Sequence, residues 1–259
     1  MTRTSERSHW DRFWERERDL SEIYDNDDRI RVEVCKRLDI SNRITLEVGA
    51  ATARDSVALA VEGAIPVALD YSHSALKLAR EASRVENCTL LLVCGDANEL
   101  PFKTDTFHLV FHQGVMEHFH DADKMITECV RVTRPGGTLL VDVPQTFHIY
   151  TLIKKILIGL NAWFAGWETQ YTQRQLETCL IDHGMEPWSV YGRYFSPSLG
   201  YRMLREILMK VKVSLPQRPV LIPAFHKFRA ALRQRVEKSV LGPKTGVIIG
   251  VFARKPEKH

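Results

Sequence analysis

The segment LEVGAATARDS, residues 46–56, decides the fold. A β-rich run, ITLEV, ends just before Gly49, and a helical pattern begins near Arg54. Only small or polar residues fill the turn between them, so a ligand can approach its backbone closely. A strand, a tight turn and a helix in this order are the opening unit of a parallel sheet covered by helices.

The same alternation of β-rich runs and helical patterns continues along the chain. Further predicted strands are PVALD (66–70), TLLLVC (89–94), FHLVFH (107–112), TLLVDVP (138–144), a strand near 187–192 and GVIIGVFAR (246–254). A helix that opens at Thr172 as its N-cap and closes at Gly184 is predicted before the strand near 187–192. We therefore expect an α/β protein with a doubly wound, mostly parallel, seven-stranded sheet. In such sheets ligands bind outside the carboxyl ends of the strands, so the site is expected there.

The charge distribution divides the chain. Residues 193–244 contain twelve Lys or Arg and only two acidic residues, whereas the chain as a whole has a net charge of +4. We predict a helical extension at 1–40, a core at 41–192 and 245–255, and a basic helical insertion at 193–244. The insertion is expected to form two amphipathic helices, near 198–212 and 223–240, and its charge suits phosphate groups or an anionic membrane surface.

Acidic residues follow two of the predicted strands. Asp70 ends PVALD about twenty residues after the turn, where a carboxylate can accept hydrogen bonds from both hydroxyls of a ribose. Asp96 follows the third strand, where its carboxylate could accept a bond from the exocyclic amine of adenine while the backbone of Ala97 donates to the ring. Together these positions predict an adenosine-containing ligand.

At this point residues 43–144 resemble the class I S-adenosylmethionine-dependent methyltransferase family, in its small-molecule and lipid branch with a type 11-like domain. Four features carry the resemblance in the family's order: LEVGAATARDS, ALDYS (68–72), GDANELPF (95–102), and FHLVFHQGVMEHF (107–119) followed by RVTRPGGTLL (131–140). The resemblance implies a Rossmann-like methyltransferase fold, S-adenosylmethionine as cofactor, and methyl transfer by in-line displacement.

The family pattern also implies a role for individual residues of the cofactor site. Glu47 would lie near the ammonium group of the ligand, Gly49 and Ala51 would line its methionine and ribose, and Asp70 would bind the ribose hydroxyls. The remaining implied contacts are Tyr71 beside the adenine, Asp96 and Ala97 at the adenine edge, and Gln113 beside the methionine moiety.

One departure from the family pattern concerns the turn, which usually reads Glu-x-Gly-x-Gly-x-Gly. Here the second and third glycines are Ala51 and Ala53. An alanine that must adopt a positive φ carries strain of order 1 kcal/mol or more. A nicotinamide-dependent dehydrogenase is the nearest alternative, but its fingerprint would require glycines at positions 51 and 54.

Candidate catalytic residues follow the fourth predicted strand. Methyl transfer from a sulfonium depends mainly on alignment, and a base helps only when the acceptor must lose a proton. His118 is the candidate base or orienting residue, and the alternative is that it packs against the following helix. We expect His112 to be structural and Glu117 and His120 to be solvated. The pattern has no metal-ligand spacing, so no metal is predicted.

The N-terminal aromatic residues Trp10, Phe13 and Trp14 recur at helical spacing. The spacing predicts a helix that packs on the body, and a lid over the cofactor is the alternative. The first thirty residues are densely charged and contain no apolar run typical of a secretion signal. We therefore expect a cytoplasmic protein that can be peripheral to a membrane.

The acceptor side is the most individual part of the sequence. Residues 147–172 are rich in apolar and aromatic side chains and predict a wall for a small-molecule or lipid-like acceptor. Basic residues of the insertion would bring this wall to an anionic membrane, and the alternative is a solvated charged face. They are Arg202, Arg205, Lys210, Lys212, Arg229, Arg233 and Arg235. The chain has no recognised nucleic-acid module, so nucleic acid is not favoured as a partner.

Two functions follow from these patterns. The first is an S-adenosylmethionine-dependent methyltransferase acting on a small-molecule or lipid-like acceptor. The second is a protein of the same fold that no longer catalyses and serves as a binding or scaffold subunit. The two alanines of the turn are the sequence feature that favours the second function.

Overall fold

A computed structural model describes residues 7–15, 28–160, 168–194, 201, 204–205, 208, 213–216, 223–237 and 239–257. Within these residues one seven-stranded sheet has the order β3-β2-β1-β4-β5-β7-β6. The strands are β1 (Ile44–Val48), β2 (Ile65–Asp70), β3 (Leu91–Cys94), β4 (Phe107–Gln113), β5 (Thr133–Pro144), β6 (Glu186–Arg193) and β7 (Ile248–Arg254). The strands β1 to β5 pair in parallel, and β7 runs antiparallel to both β5 and β6. The predicted doubly wound, mostly parallel sheet is confirmed.

Helices connect most of these strands. They are α1 (Arg7–Glu15), α2 (Arg29–Cys35), α3 (Arg54–Val61), α4 (His73–Val85), α5 (Asp123–Val132), α6 (Ile149–Gly159), α7 (Gln173–Asp182), α8 (Pro223–Glu237) and α9 (Gly242–Thr245). Thr172 caps α7 in a capping box with Gln175, as expected for a helix that opens at this residue. No helix among the described residues is long and apolar enough to cross a membrane.

The sheet is covered on both faces because side chains alternate along each strand. On one face, Val48, Val110 and Val141 pack with Ile126 of α5 and Leu180 of α7. On the other face, a second cluster combines strand residues with α2 and α3; its members include Leu109, Phe111, Leu140, Phe252, Ile30, Val34 and Leu59. The carboxyl ends of the parallel strands therefore remain at one edge of the sheet, where connecting loops can form a site.

The basic insertion is only partly described. Of its first predicted helix, near 198–212, residues 201, 204, 205 and 208 are helical and the rest lie outside the described residues. The second predicted helix corresponds to α8. Both ends of the segment meet at one point, because Arg193 bonds Glu237 at 2.8 Å and also bonds Glu33 of α2. The backbone N–H of Tyr194 donates to Glu237 as well, at 3.0 Å.

Candidate active site

The turn between β1 and α3 has an unusual backbone. Gly49, Ala51 and Ala53 all have left-handed φ values, of 67°, 50° and 51°. Gly49 is needed for a second reason, because a Cβ at this position would lie 2.5 Å from Cγ2 of Val115. Its conformation and its close contact both require glycine.

From the sequence, Ala51 and Ala53 were expected to be strained only if their φ angles were positive. The structure gives both of them that conformation, so each alanine costs about 1–2 kcal/mol of backbone strain. Ala53 is fully buried and packs in a cluster with Ala50, Ala68 and Ala79. The cost at this position therefore comes from the backbone conformation and not from crowding of the side chain. The turn keeps the shape of a glycine turn although two of its glycines are replaced.

Asp70 ends β2 directly beside this turn and is buried, with 5% of its surface exposed. The backbone N–H of Ala51 donates to its Oδ2 at 2.8 Å, and that of Ser72 donates to its Oδ1 at 2.9 Å. Burial raises the pKa of the carboxyl above its ordinary 3.8, although these hydrogen bonds oppose the shift. Because a carboxylate offers about four acceptor positions, Asp70 is oriented by the main chain and can still accept hydrogen bonds from a ligand.

Glu47 lies on β1, two residues before Gly49, and is also buried. Its Oε2 accepts a hydrogen bond from the backbone N–H of Ser56 at 3.0 Å. Burial raises the pKa of Glu47 well above its ordinary 4.5, and the nearby carboxylates of Asp55 and Asp70 raise it further. Buried acidic groups in such proximity create a potential that favours a cationic ligand.

The other predicted cofactor residues lie in loops or at a strand end along the same edge. Asp96 and Ala97 follow β3, and Oδ1 of Asp96 accepts hydrogen bonds from the backbone N–H and the side-chain amide of Asn98, at 2.8 and 3.1 Å. Tyr71 is half-buried immediately after Asp70. Gln113, expected just past the fourth strand, is instead its last residue and is half-buried.

The histidines and the acid after β4 differ in their surroundings. His112 is fully buried, and burial lowers its pKa to about 3. Neither of its ring nitrogens has a hydrogen-bond partner among the described residues. Glu117 was expected to be solvated, and this prediction is wrong: the residue is buried, and the backbone N–H of Thr169 donates to its carbonyl at 2.8 Å. His120 is exposed, and His118 is half-buried in the short 3₁₀ helix Met116–His118.

Helix α1 contacts the body at several points around this edge. It packs against α4, and the ring of Trp10 lies 5.1 Å from that of His118 in an edge-to-face arrangement. Asp11, one residue later, is close enough to Asp70 to raise the pKa of that carboxyl. One short helix therefore approaches both the acid at the end of β2 and the histidine after β4. Both earlier interpretations, packing on the body and covering the site, are compatible with this position.

Residues 46–141 match a family model described as a methyltransferase domain. These residues are therefore similar to the methyltransferase domain family. The match begins at Leu46 in β1 and ends at Val141 in β5, so the matched region includes the turn, Asp70, Asp96 and His118.

Curated relatives of the chain are similar over the same region. A demethylmenaquinone methyltransferase of Streptomyces avermitilis is 36% identical over 134 residues, which are 48% of this chain and 56% of the relative. A protein of the same name from Thermobifida fusca is 33% identical over 152 residues, 57% of this chain and 63% of the relative. The chain thus spans between about half and two thirds of the curated relatives it matches.

Solved structures show the fold over a larger part of the chain. The [4+2]-cyclase SpnF superposes with a TM-score of 0.61 at 22% identity, covering 89% of this chain and 81% of that protein. At this identity the likeness concerns the fold alone. The Rossmann-like architecture therefore extends beyond the matched methyltransferase domain.

One buried cluster near this edge was missed from the sequence. Asp142 of β5 accepts hydrogen bonds from Nε and Nη2 of Arg29, at 3.1 and 2.8 Å, and from the hydroxyl of Tyr191, at 2.5 Å. Tyr191 reaches Asp142 across Gly250 of the intervening strand β7, where a Cβ would lie 2.1 Å from the tyrosine ring. An acid inside the apolar run TLLVDVP was the signal that could have revealed the cluster.

The basic insertion differs from its expected form at Arg205. This residue is buried, and its Nε donates to the carbonyl of Leu215 at 3.2 Å, so it is not presented to a membrane. Arg235 is exposed, and Arg233 lies 4.0 Å from Glu237. Arg202, Lys210, Lys212 and the side chain of Arg229 lie outside the described residues.

Proposed function

We propose that this protein is an S-adenosylmethionine-dependent methyltransferase that transfers a methyl group to a small-molecule or lipid-like acceptor. The observation that carries the proposal is Asp70, a buried carboxylate oriented by backbone N–H groups directly beside the left-handed turn. A ribose placed against this turn would present its two hydroxyls to that carboxylate. The methyltransferase domain match over the same residues supports the proposal.

The residues along the edge fit the parts of this cofactor. Asp70 would accept from the ribose hydroxyls, and Glu47 would lie near the ammonium group, where its carboxylate offsets the positive charge. The turn at Gly49 and Ala51 leaves backbone accessible to the methionine and ribose. The remaining proposed contacts are Tyr71 beside the adenine, Asp96 and Ala97 at the adenine edge, and Gln113 beside the methionine moiety.

S-adenosylmethionine would supply a methyl group already activated on a sulfonium. The chain then has to hold the acceptor in line, exclude water and, for an acceptor that must lose a proton, take that proton. We assign this last role to a ring nitrogen of His118, which is half-buried and contacts Trp10. The Trp10 ring, 5.1 Å away in an edge-to-face arrangement, limits how the imidazole can turn.

The acceptor class is proposed from the names of the relatives and from the surface after β5. The relatives are named for demethylmenaquinone, a lipid-like quinone. Phe147, Ile156 and Leu160 are exposed around α6, which follows β5 at the same edge. An apolar, ring-bearing acceptor suits these side chains, and a quinol of this type would lose a proton during methylation.

Binding of the cofactor and transfer of the methyl group test the proposal separately. Calorimetric titration should detect both S-adenosylmethionine and S-adenosylhomocysteine, and a demethylated naphthoquinol with radiolabelled cofactor should yield labelled lipid product. His118→Gln should lower kcat by about a hundredfold and leave the affinity for S-adenosylhomocysteine unchanged. Lack of binding at millimolar ligand would contradict the proposal.

A second candidate function is a non-catalytic binding or scaffold protein of the same fold. The observation that favours it is the strain at Ala51 and Ala53, which a site under selection for cofactor affinity has reason to remove. Binding of S-adenosylhomocysteine without transfer to any quinol, phenol or amine acceptor would favour this second function.

We also propose that the protein works on the cytoplasmic side of a membrane and is peripheral to it. The exposed apolar residues around α6 and the net positive charge of 193–244 support this location. Sedimentation with liposomes should then depend on anionic lipid and weaken with salt. Absence of sedimentation at low salt would remove the membrane from the proposal.

A further inference from the structure

The connection between β3 and β4 carries the two proposed adenine contacts. The ends of this loop are tied to the rest of the chain, because the N–H of Gly95 donates to the carbonyl of Asp70 at 3.1 Å and that of Thr106 donates to the carbonyl of Val132 at 2.9 Å. Between these ends Asp96 forms a bridge with Glu99 inside the loop. Asp96 is exposed, and its Oδ1 is engaged by the neighbouring Asn98. The sheet therefore anchors the ends of the loop, and a further contact is needed to hold its middle.

A pair of charged residues on α5 faces the loop. Glu128 and Arg131 are one helical turn apart and form a two-pronged ion pair, with Nε to Oε1 at 2.6 Å and Nη2 to Oε2 at 2.7 Å. The paired geometry of guanidinium and carboxylate fixes both side chains more firmly than a single contact would. Hydrogen bonding to Arg131 lowers the pKa of Glu128, so the pair stays ionised near neutral pH.

The same two side chains bind the main chain of the loop. The backbone N–H of Leu100 donates to Oε2 of Glu128 at 2.8 Å, and the carbonyl of Leu100 accepts from Nη2 of Arg131 at 2.9 Å. Nη1 of Arg131 donates to the carbonyl of Phe102 at 2.8 Å. Both backbone polar groups of Leu100 are thus held by one ion pair, while its side chain is buried in the core.

Leu100 is only four residues from Asp96, and Glu99 donates its N–H back to the carbonyl of Asp96 at 3.1 Å. The tight turn Asp96–Glu99 therefore ends next to a clamped residue. A shift of Leu100 would move the whole turn, including the carboxylate of Asp96 and the N–H of Ala97.

We infer that Glu128 and Arg131 are positioning residues for adenine recognition, acting through Leu100 on Asp96 and Ala97. The inference rests on the proposed function, since it concerns the nucleoside part of the same cofactor. It assigns a ligand-specific role to an ion pair that touches no ligand. The pair would have no such role if it served only to stabilise α5.

The exchange of adenine for hypoxanthine gives a direct readout of this positioning. Adenine presents an amine donor beside a ring acceptor, whereas hypoxanthine presents a carbonyl acceptor beside a ring donor. Hypoxanthine would place its carbonyl oxygen against the carboxylate of Asp96 and its ring N–H against the backbone N–H of Ala97, so neither hydrogen bond could form. The ratio of affinities for S-adenosylhomocysteine and S-inosylhomocysteine therefore reports how well Asp96 and Ala97 are placed.

We would measure both affinities by calorimetry in the full chain and its variants. The wild type should prefer S-adenosylhomocysteine by about tenfold or more, which is the effect of roughly one hydrogen bond. Arg131→Gln should reduce that preference at least about fivefold, and Asp96→Ala should abolish it. Glu128→Gln keeps an acceptor for Leu100 and should show an intermediate preference; it also serves if Arg131→Gln does not fold.

Arg31→Gln is the matched control. Arg31 has an exposed fraction close to that of Arg131, at 34% and 31% of the side chain, and also forms ion pairs, with Glu62 and Asp28. These contacts join α2 to the end of α3 away from the adenine loop. The control should lose a comparable surface ion pair and keep the wild-type preference between the two ligands.

The outcomes separate the inference from the proposed function. A wild type that binds neither ligand refutes the proposed function, and the inference falls with it. A wild type with a clear preference that Arg131→Gln and Glu128→Gln retain overturns the inference alone, because equal weakening of both ligands is what a purely structural role would give. A wild type without preference also overturns it.

Discussion

Two buried carboxylates near the carboxyl ends of the strands, Asp70 on β2 and Asp142 on β5, are held in different ways. Asp70 is oriented by backbone N–H groups of the turn and of its own loop. Asp142 is held by side chains, with two hydrogen bonds from Arg29 and one from Tyr191. Backbone donors leave a carboxylate in place but available, whereas a guanidinium and a phenol occupy it. The first arrangement suits the ligand-binding role proposed for Asp70, and the second suits a structural role for Asp142.

The largest effect is expected from a substitution that removes the cation beside Asp142. Arg29→Met leaves the carboxylate of Asp142 buried and deprived of its cation, which should cost about 3–5 kcal/mol of unfolding free energy. Urea unfolding followed by circular dichroism measures it. The double variant Arg29→Met with Asp142→Leu removes the buried charge and should recover most of the loss. If Arg29→Met alone cost less than about 1 kcal/mol of unfolding free energy, the fold would tolerate the buried carboxylate of Asp142 without its cation.

The next largest effect is expected at Asp70, the acid proposed to bind the ligand. Asp70→Asn should weaken S-adenosylhomocysteine binding by about a hundredfold, because charge-assisted bonds to two ribose hydroxyls are lost. Its unfolding free energy should fall by about 1–2 kcal/mol, because the amide oxygen still accepts from one of the two backbone N–H groups while the amide nitrogen cannot accept from the other. Calorimetry and urea unfolding together check this. If the variant lost stability as Arg29→Met does while its affinity stayed the same, the roles of the two acids would be reversed.

The substitution Glu47→Gln tests a third buried acid through the pH dependence of stability. Burial and the nearby Asp55 raise the pKa of Glu47 in the folded protein. The ionised carboxylate therefore lowers stability, a loss that develops as the pH rises from the unfolded-state pKa through the folded-state pKa and is absent below the former.

The variant lacks this loss, so its ligand-free melting temperature should exceed that of the wild type by about 2 °C near neutral pH, and the difference should vanish below about pH 4. Its affinity for S-adenosylmethionine should fall, because the partner of the ammonium group is gone. Scanning calorimetry across pH measures the first effect, and titration measures the second. A variant less stable than the wild type at neutral pH would show that Glu47 is needed for the fold.

The smallest effect is expected in the turn. Ala51→Gly and Ala53→Gly relieve left-handed strain but add chain entropy to the unfolded state, so each should stabilise the protein by about 0.5 kcal/mol. Ala50→Gly is the control, because Ala50 does not have a positive φ and its replacement should destabilise. Thermal melts of the three variants suffice. Destabilisation by all three would mean that the turn is not strained.

The sequence predicted those parts of the site that depend on neighbouring residues. Gly49, Asp70 and Asp96 are each placed by a strand end, and a strand end is a local pattern of apolar residues followed by small or polar ones. The positive φ of Ala51 and Ala53 was left as a condition by the sequence, and the structure supplies it. The cap at Thr172 was also local, since it requires only residues within one helical turn.

Other features depend on distant residues and could not be derived in this way. Arg29 and Asp142 are 113 positions apart, and a sequence gives no register between a helix at one end of the chain and a strand near its middle. Glu117 was expected in solvent, but it is buried, and the N–H of Thr169, a residue 52 positions later, donates to its carbonyl. Glu128 and Arg131 were within reach of a spacing argument, although their shared target, Leu100, was not.

Gly250 restricts the order in which substitutions can occur at the Tyr191–Asp142 contact. The phenol crosses the strand through the space that any Cβ at position 250 would fill. A substitution at 250 is therefore tolerated only after position 191 has lost its ring, and the ring can return only after glycine is restored. The two positions must change in a fixed order, and lineages that differ here should never combine a ring at position 191 with a side chain at position 250.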